Sequence, residues 1–186
     1  MTNFERDKKF SVTNFARFVS PALKSAFNVN TIVDSESLSD NLSRCLDREH
    51  CIDGYFQRAG KFEFFSSRIQ RGDYRTFTIR KSRDSGIVTE HERLCRQIDE
   101  ERIYPRWFIQ AYVSDDAATV AIIETKNLLK FIDEGKARTR HTHGERHGQA
   151  EFFVAEWDDL KQAEIPVEIF NVTRGEITHE TKKAAR

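Results

Sequence analysis

No CxxC pair, no glycine-rich phosphate loop and no long apolar run occur in this chain. The three cysteines, Cys45, Cys51 and Cys95, are an odd number, which argues against a disulfide framework and for reduced thiols in a cytoplasmic protein. Cys51 falls on an expected strand and Cys95 on an expected helix, where a small buried apolar group is their ordinary role. The opening MTNFERDKKF lacks the apolar core of a signal peptide, and no stretch approaches the ~18 apolar residues of a membrane helix. The eight glycines are scattered and form neither GxGxxG nor a P-loop, so dinucleotide and nucleotide-hydrolysing chemistry find no support. No GxSxG or family-specific cysteine signature surrounds Ser66, Ser67, Cys51 or Cys95. Net charge is also lacking: thirty Lys and Arg balance thirty Asp and Glu, which excludes a globally basic nucleic-acid binder. Only local segregation of charge can recruit a polyanion.

What is present suits one globular domain. The chain has 186 residues, 38% of them hydrophobic and fifteen of them Phe, enough to build a core. Residues 1–34 read as a helical N-terminal extension, 35–172 as a single α/β domain and 173–186 as a disordered tail. Apolar residues at Val12, Phe15, Phe18, Val19, Leu23 and Phe27 suit two short helices, the second starting at Ser20-Pro21. Asn28 to Asp34 reads as a polar connector. Leu38, Leu42, Cys45 and Leu46 continue at helical spacing behind a Ser35 or Ser37 cap. Thr89-Glu90-His91-Glu92 is a capping box that should start a helix running to about Ile103. Strands are expected at 106–113, 119–124, 151–157 and 166–172, with helices at 126–134 and a helical turn at 158–161. The expected fold is mixed α+β: a central, mostly antiparallel or mixed sheet, containing a three-stranded meander and flanked by helices.

The most informative stretch is His50 to Arg83. Three apolar-aromatic segments break at Arg58-Ala59-Gly60 and Arg71-Gly72-Asp73, the pattern of that meander. Eight basic residues lie between Arg58 and Arg83, against Glu63 and Asp73 alone, so a polyanion is the expected ligand. Arg68, Gln70, Thr78 and Arg80 project together if the strand register allows it, and Tyr55, Phe65 and Tyr74 offer stacking faces. The competing reading is a solvated sheet face, its arginines neutralised by Glu90, Glu92, Asp99, Glu100 and Glu101.

A helix, a three-stranded meander, a helix and a further strand, with Asp53 early in the first strand, resemble the core of the PD-(D/E)xK nucleases over roughly residues 35 to 115. The resemblance implies Mg²⁺ held by Asp53 and Glu63, with Arg68 and Gln70 orienting a phosphate. Arg71, Arg75, Arg80, Lys81 and Arg83 would then hold a nucleic-acid backbone, DNA being favoured. The second motif departs from the family pattern. Glu63 is followed by Phe64-Phe65 with no lysine, and Ser66-Ser67-Arg68 has serine where the acid should stand. Serine is no anionic metal ligand, and arginine stays protonated and can only clamp phosphate. The expected function is therefore a metal-dependent nuclease with a degenerate motif. The alternative is a non-enzymatic protein that contacts nucleic acid or a nucleic-acid enzyme.

Two further sets of residues compete. Glu124-Thr125-Lys126 supplies a literal acid-x-Lys eight residues after Asp116, although Lys126 also suits the start of a helix. His141, His143 and His147 sit in an expected loop from Gly135 to Gly148, with only Glu145 to complete a metal set. They read as a solvated contact strip beside Arg138, Arg140 and Arg146.

Overall fold

The computed structural model describes residues 2–35, 38, 40–83, 86–144 and 148–180. Helix α1 (Asn3–Asn14) opens on a capping box in which the Thr2 hydroxyl accepts from Glu5 N–H while the Glu5 carboxylate accepts from Thr2 N–H. One π-helical turn, Phe15–Val19, links it to α2 (Ser20–Phe27). Such a turn inserts a residue and rephases the helix. Phe15, Phe18, Val19, Ala22, Leu23 and Phe27, spaced three and four apart, all reach the same core. This N-terminal segment, expected as an extension, packs into the core as the layer on one face of the large sheet. Helix α2 ends on Asn28 in the left-handed conformation (φ 52°), a position Asn tolerates better than most residues.

The remaining elements are β1 (Ile32–Asp34), α3 (Asp40–His50), β2 (Gly54–Arg58), β3 (Lys61–Arg71), β4 (Thr76–Arg83) and α4 (Glu90–Asp99). They continue with β5 (Trp107–Val113), β6 (Ala117–Glu124), α5 (Thr125–Asp133), β7 (Arg138–Gly144), β8 (Gly148–Glu156), α6 (Trp157–Gln162), β9 (Val167–Thr173) and β10 (Glu176–His179). Seven strands form a curled, mostly antiparallel sheet in the order β1-β2-β3-β5-β6-β9-β10, and β4-β8-β7 form a second sheet. The fold is mixed α+β.

The three-stranded meander does not form. β2 and β3 make the expected hairpin, but β3 then pairs in parallel with β5, from Phe65↔Trp107 to Arg71↔Val113. β4 crosses to the second sheet and pairs antiparallel with β8. The connector 72–75 makes the change of sheet, with Gly72 at φ 107° and Arg75 at φ 50° turning the chain sharply. Gly72 is in a region closed to most side chains, and an added Cβ would stand 2.8 Å from the Tyr74 ring.

Two other segments depart from expectation. The connector at 28–34 contains β1, paired to β2 through Ile32↔Phe56. The tail expected to be disordered contains β10, paired to β9, and Glu180 beyond it binds Arg75 through both carboxylate oxygens (3.1 and 2.8 Å). Residues 181–186 and Ser37 lie outside the described residues.

The large sheet is covered on both faces. On one, α1–α2 pack against Phe56, Phe65, Ile109, Ala111, Val120 and Ile122. On the other, Phe108, Tyr112, Ala121, Ile123 and Ile169 meet Phe77, Ile79 and Ala155 of the small sheet, with α4, α5 and α6 closing the sides. Trp157 is fully buried there, between Phe77 and Tyr112 (ring centroids 5.9 and 5.8 Å).

Polar ties also hold the sheets together. The Tyr112 hydroxyl shares a 2.7 Å bond with Thr76 Oγ1 and donates to the Thr76 carbonyl at 3.0 Å. Gln110, fully buried, donates to the Arg68 carbonyl and accepts from Thr78 Oγ1, each at 3.3 Å. Buried polar groups that lose a partner cost roughly 1–3 kcal/mol. Tyr112→Phe should therefore lower unfolding stability by about 1–2 kcal/mol with an unchanged urea m-value, measured by denaturant titration.

Candidate nucleic-acid interface

Strand alternation places Ser66, Arg68 and Gln70 on the face of β3 that looks toward the small sheet. The small sheet answers with Thr76, Thr78 and Arg80 from β4. Cross-strand pairing then sets Arg80 beside Phe152 and Phe152 beside Arg140, an Arg–Phe–Arg row. Arg68 reaches Thr78 Oγ1 through Nη1 (3.2 Å), Arg68 and Arg80 both approach the Phe152 ring, and Gln70 and Thr78 line the space beside it, so the four lie on one side of the molecule. Between the sheets lies a cleft of about 570 Å³, lined by Gln70, Arg71, Tyr74, Tyr112, Arg140 and Phe152 among others.

Charge compensation is uneven along this cleft. Arg68 pairs with Glu90 at 2.6 Å, and Arg138 pairs with Glu156. The side chains of Arg71, Arg80 and Arg140 have no carboxylate partner among the described residues. Arg71 instead lies over the Phe10 ring (4.9 Å to the centroid). Arg80 and Arg68 both lie over Phe152 (5.4 and 5.7 Å), and Arg80 Nε is buried without a hydrogen-bond acceptor among the described residues. A buried guanidinium donor left unpaired is costly unless an incoming acceptor satisfies it.

The other basic residues singled out in the sequence lie elsewhere. Arg75 is held by Glu180 and covers Trp157, and its guanidinium is stabilised in the charged form chiefly by that hydrogen-bonded carboxylate. A bulge between Arg80 and Ser82 leaves Lys81 on the far face of the small sheet, paired with Glu151 (3.2 Å) and lying over Phe153. Arg83 ends β4, its side chain outside the described residues.

Asp53 and Glu63 are not brought together. Asp53 lies just before β2, where pairing with β3 ends. Its carboxylate accepts from Ser67 N–H at 2.6 Å and from Ser66 Oγ at 3.2 Å, filling in for a strand partner along that stretch of β3. Burial pushes this carboxyl up to about 7, with Asp47 and Glu90 adding to the rise against the downward pull of the serine hydrogen bonds. Glu63 projects from the opposite face, buried beneath α2. It accepts from Arg58 (3.0 Å) and from Trp107 Nε1 (2.6 Å), with Arg106 at 3.8 Å. A carboxylate committed to three donors on the far side of the sheet cannot share a cation with Asp53. These residues do not fit a magnesium centre.

The competing acid-x-Lys also separates. Glu124 accepts from Arg106 (3.2 Å), Lys126 lies over Tyr104, and Asp116 pairs with Arg17 at the far end of β6. His141 lies on β7 and faces Glu151 at 3.2 Å. The His143 side chain and the whole of His147 lie outside the described residues.

No family model, curated protein or solved structure matches this chain. The reading of the cleft thus rests on its own residues.

Arg138, Arg140, Gln110 and Phe152 were not assigned to this site from sequence. The alternation Arg138-x-Arg140-x-Thr142 was the available signal, a polar period of two that marks a strand with one solvated face. Flanking Gly135 and Gly148 made the same segment read as a loop.

Proposed function

We propose that this protein binds single-stranded nucleic acid along the arginine-lined cleft between its two sheets, and does not hydrolyse it. The observation that carries this reading is the Arg80–Phe152–Arg140 row: Phe152 and Arg140 line the cleft with Arg71, Gln70 and Tyr112, and Arg80 adjoins it across Phe152. Uncompensated arginines track phosphates, and the exposed Tyr74 ring offers an aromatic face to a base. A cleft of about 570 Å³ suits a few nucleotides of one strand rather than a duplex. Hydrolysis by bound magnesium would need converging carboxylates, and Asp53 and Glu63 occupy opposite faces of the sheet. A cytoplasmic setting suits three free thiols. Among the described residues no helix is long and apolar enough to cross a membrane.

The test is fluorescence anisotropy with labelled single- and double-stranded DNA over a range of salt, followed by incubation with Mg²⁺. Three phosphate contacts on a single strand predict log K falling against log salt with a slope of about −2. The strand should remain intact. Equal affinity for duplex, or binding indifferent to salt, would remove the cleft from the account. Metal-dependent cleavage would return Asp53 to a catalytic role.

A further inference from the structure

Away from the cleft, the last turns of α3 gather a sulfur, a carboxylate and an imidazole. Cys45, Glu49 and His50 each offer a ligand atom, and these atoms all lie within 4.8 Å of one another. We propose that Cys45, Glu49 and His50 form a binding site for a borderline divalent cation of the zinc or cobalt class. This site is independent of the function proposed for the cleft.

Two features of the geometry support it. With Zn–S near 2.3 Å, Zn–O near 2.0 Å and a tetrahedral angle, a bound sulfur and oxygen stand about 3.5 Å apart. Cys45 Sγ and Glu49 Oε2 stand 3.7 Å apart. The imidazole is also held from behind. His50 Nδ1 lies 3.0 Å from the Ile103 carbonyl, which can only accept, so Nδ1 carries the proton and Nε2 keeps its lone pair. A backbone carbonyl fixing the tautomer and ring orientation is the support that metal-bound histidines usually have.

The donor set selects the ion. One thiolate and one imidazole disfavour magnesium and calcium, which take oxygen, and suit Zn²⁺ or Co²⁺ with a water in the fourth position. Because Ile103 lies between α4 and β5, the bound ion would lock the end of α3 onto that connector. It would also fix the segment leading into Asp53.

Titration of the purified full chain with Co²⁺ tests this directly. The expected result is one equivalent bound, with a thiolate-to-cobalt charge-transfer band and tetrahedral visible bands that Zn²⁺ displaces. Cys45→Ser should abolish the charge-transfer band. Glu49→Gln and His50→Gln should each weaken binding at least tenfold. Zn²⁺ should raise the thermal midpoint of the wild type and leave that of Cys45→Ser unchanged. Because Cys45 and Glu49 are not buried, both variants should fold; if Cys45→Ser does not, Glu49→Gln decides the question with the same readouts. Absence of saturable Co²⁺ binding would overturn the proposal. So would a charge-transfer band that survives in Cys45→Ser, or affinity unchanged in Glu49→Gln.

Discussion

Asp53→Asn should make the protein more stable at pH 8 and nearly indifferent at pH 4. In the folded chain the Asp53 carboxyl is pushed up to about 7 by burial, with Asp47 and Glu90 adding to the rise. In the unfolded chain it titrates near 3.9. The folded state therefore holds a proton that the unfolded state releases between these values. Stability contributed by this group is fully present below about pH 4, falls as pH rises toward 7, and is flat above that. Three pH units correspond to about 4 kcal/mol, of which roughly 2–3 kcal/mol falls between pH 5 and 8. An amide keeps the acceptor for Ser67 N–H and adds no charge, so the variant should escape this loss. Thermal melts of both proteins from pH 4 to 8 measure it. The gap between them should widen by several degrees with rising pH. Parallel curves would mean that Asp53 is ionised and solvated in the folded protein.

The second large effect concerns the arginines. Arg80→Ala combined with Arg140→Ala should weaken single-strand binding about 30-fold or more, taking about 1 kcal/mol for each arginine–phosphate pair removed. It should also make the salt slope shallower by about 1.4, two phosphates at ~0.7 each. Lys81→Ala is the internal comparison, because Lys81 lies on the far face beside Glu151 and should leave both affinity and slope unchanged. Arg140 is exposed and Arg80 makes no side-chain hydrogen bond to the described residues, so thermal stability should change little. Anisotropy titrations at two or more salt concentrations read both quantities. Equal losses from Lys81→Ala and the arginine pair would mean diffuse attraction rather than a cleft.

The elements whose signals are local are legible in the sequence. The Thr89–Glu92 capping box forms with both reciprocal hydrogen bonds, and α5 buries Leu128, Leu129, Phe131 and Ile132 as the spacing of its apolar residues requires. β5, β6 and β9 lie where their apolar runs stand, because buried central strands carry the densest signal. Strand partnership was not legible. Phe77 and Ile79 show the same alternation whether β4 pairs with β3 or with β8, so periodicity cannot distinguish a meander from a crossover. β7 and β10 were missed because strands with little apolar burial resemble polar loops. Their pairing with β8 and β9 supplies the order that their side chains do not.

The candidate site divided in the same way. Arg68, Gln70, Thr78 and Arg80 share a face, as the alternation of β3 and β4 allows. The two acids parted because Asp53 stands opposite Ser66 across the hairpin, whereas Glu63 shares its face with Phe65 and points beneath α2. A single strand of sequence shows each residue's parity, but not which face of the finished sheet will be roofed by helices. Phe152 and Arg140 arrive from a hairpin about seventy residues downstream of Arg68, beyond the reach of any local pattern.

Chemical-shift mapping tests the cleft most directly. Isotope-labelled protein titrated with a short single-stranded oligonucleotide should show its largest amide and arginine Nε–H perturbations at Gln70, Arg71, Thr78, Arg80, Arg140 and Phe152. The opposite face of the small sheet, around Lys81 and Glu151, should remain still. Perturbations centred on that opposite face or on the β2–β3 hairpin tip, with the cleft unmoved, would contradict binding in the cleft.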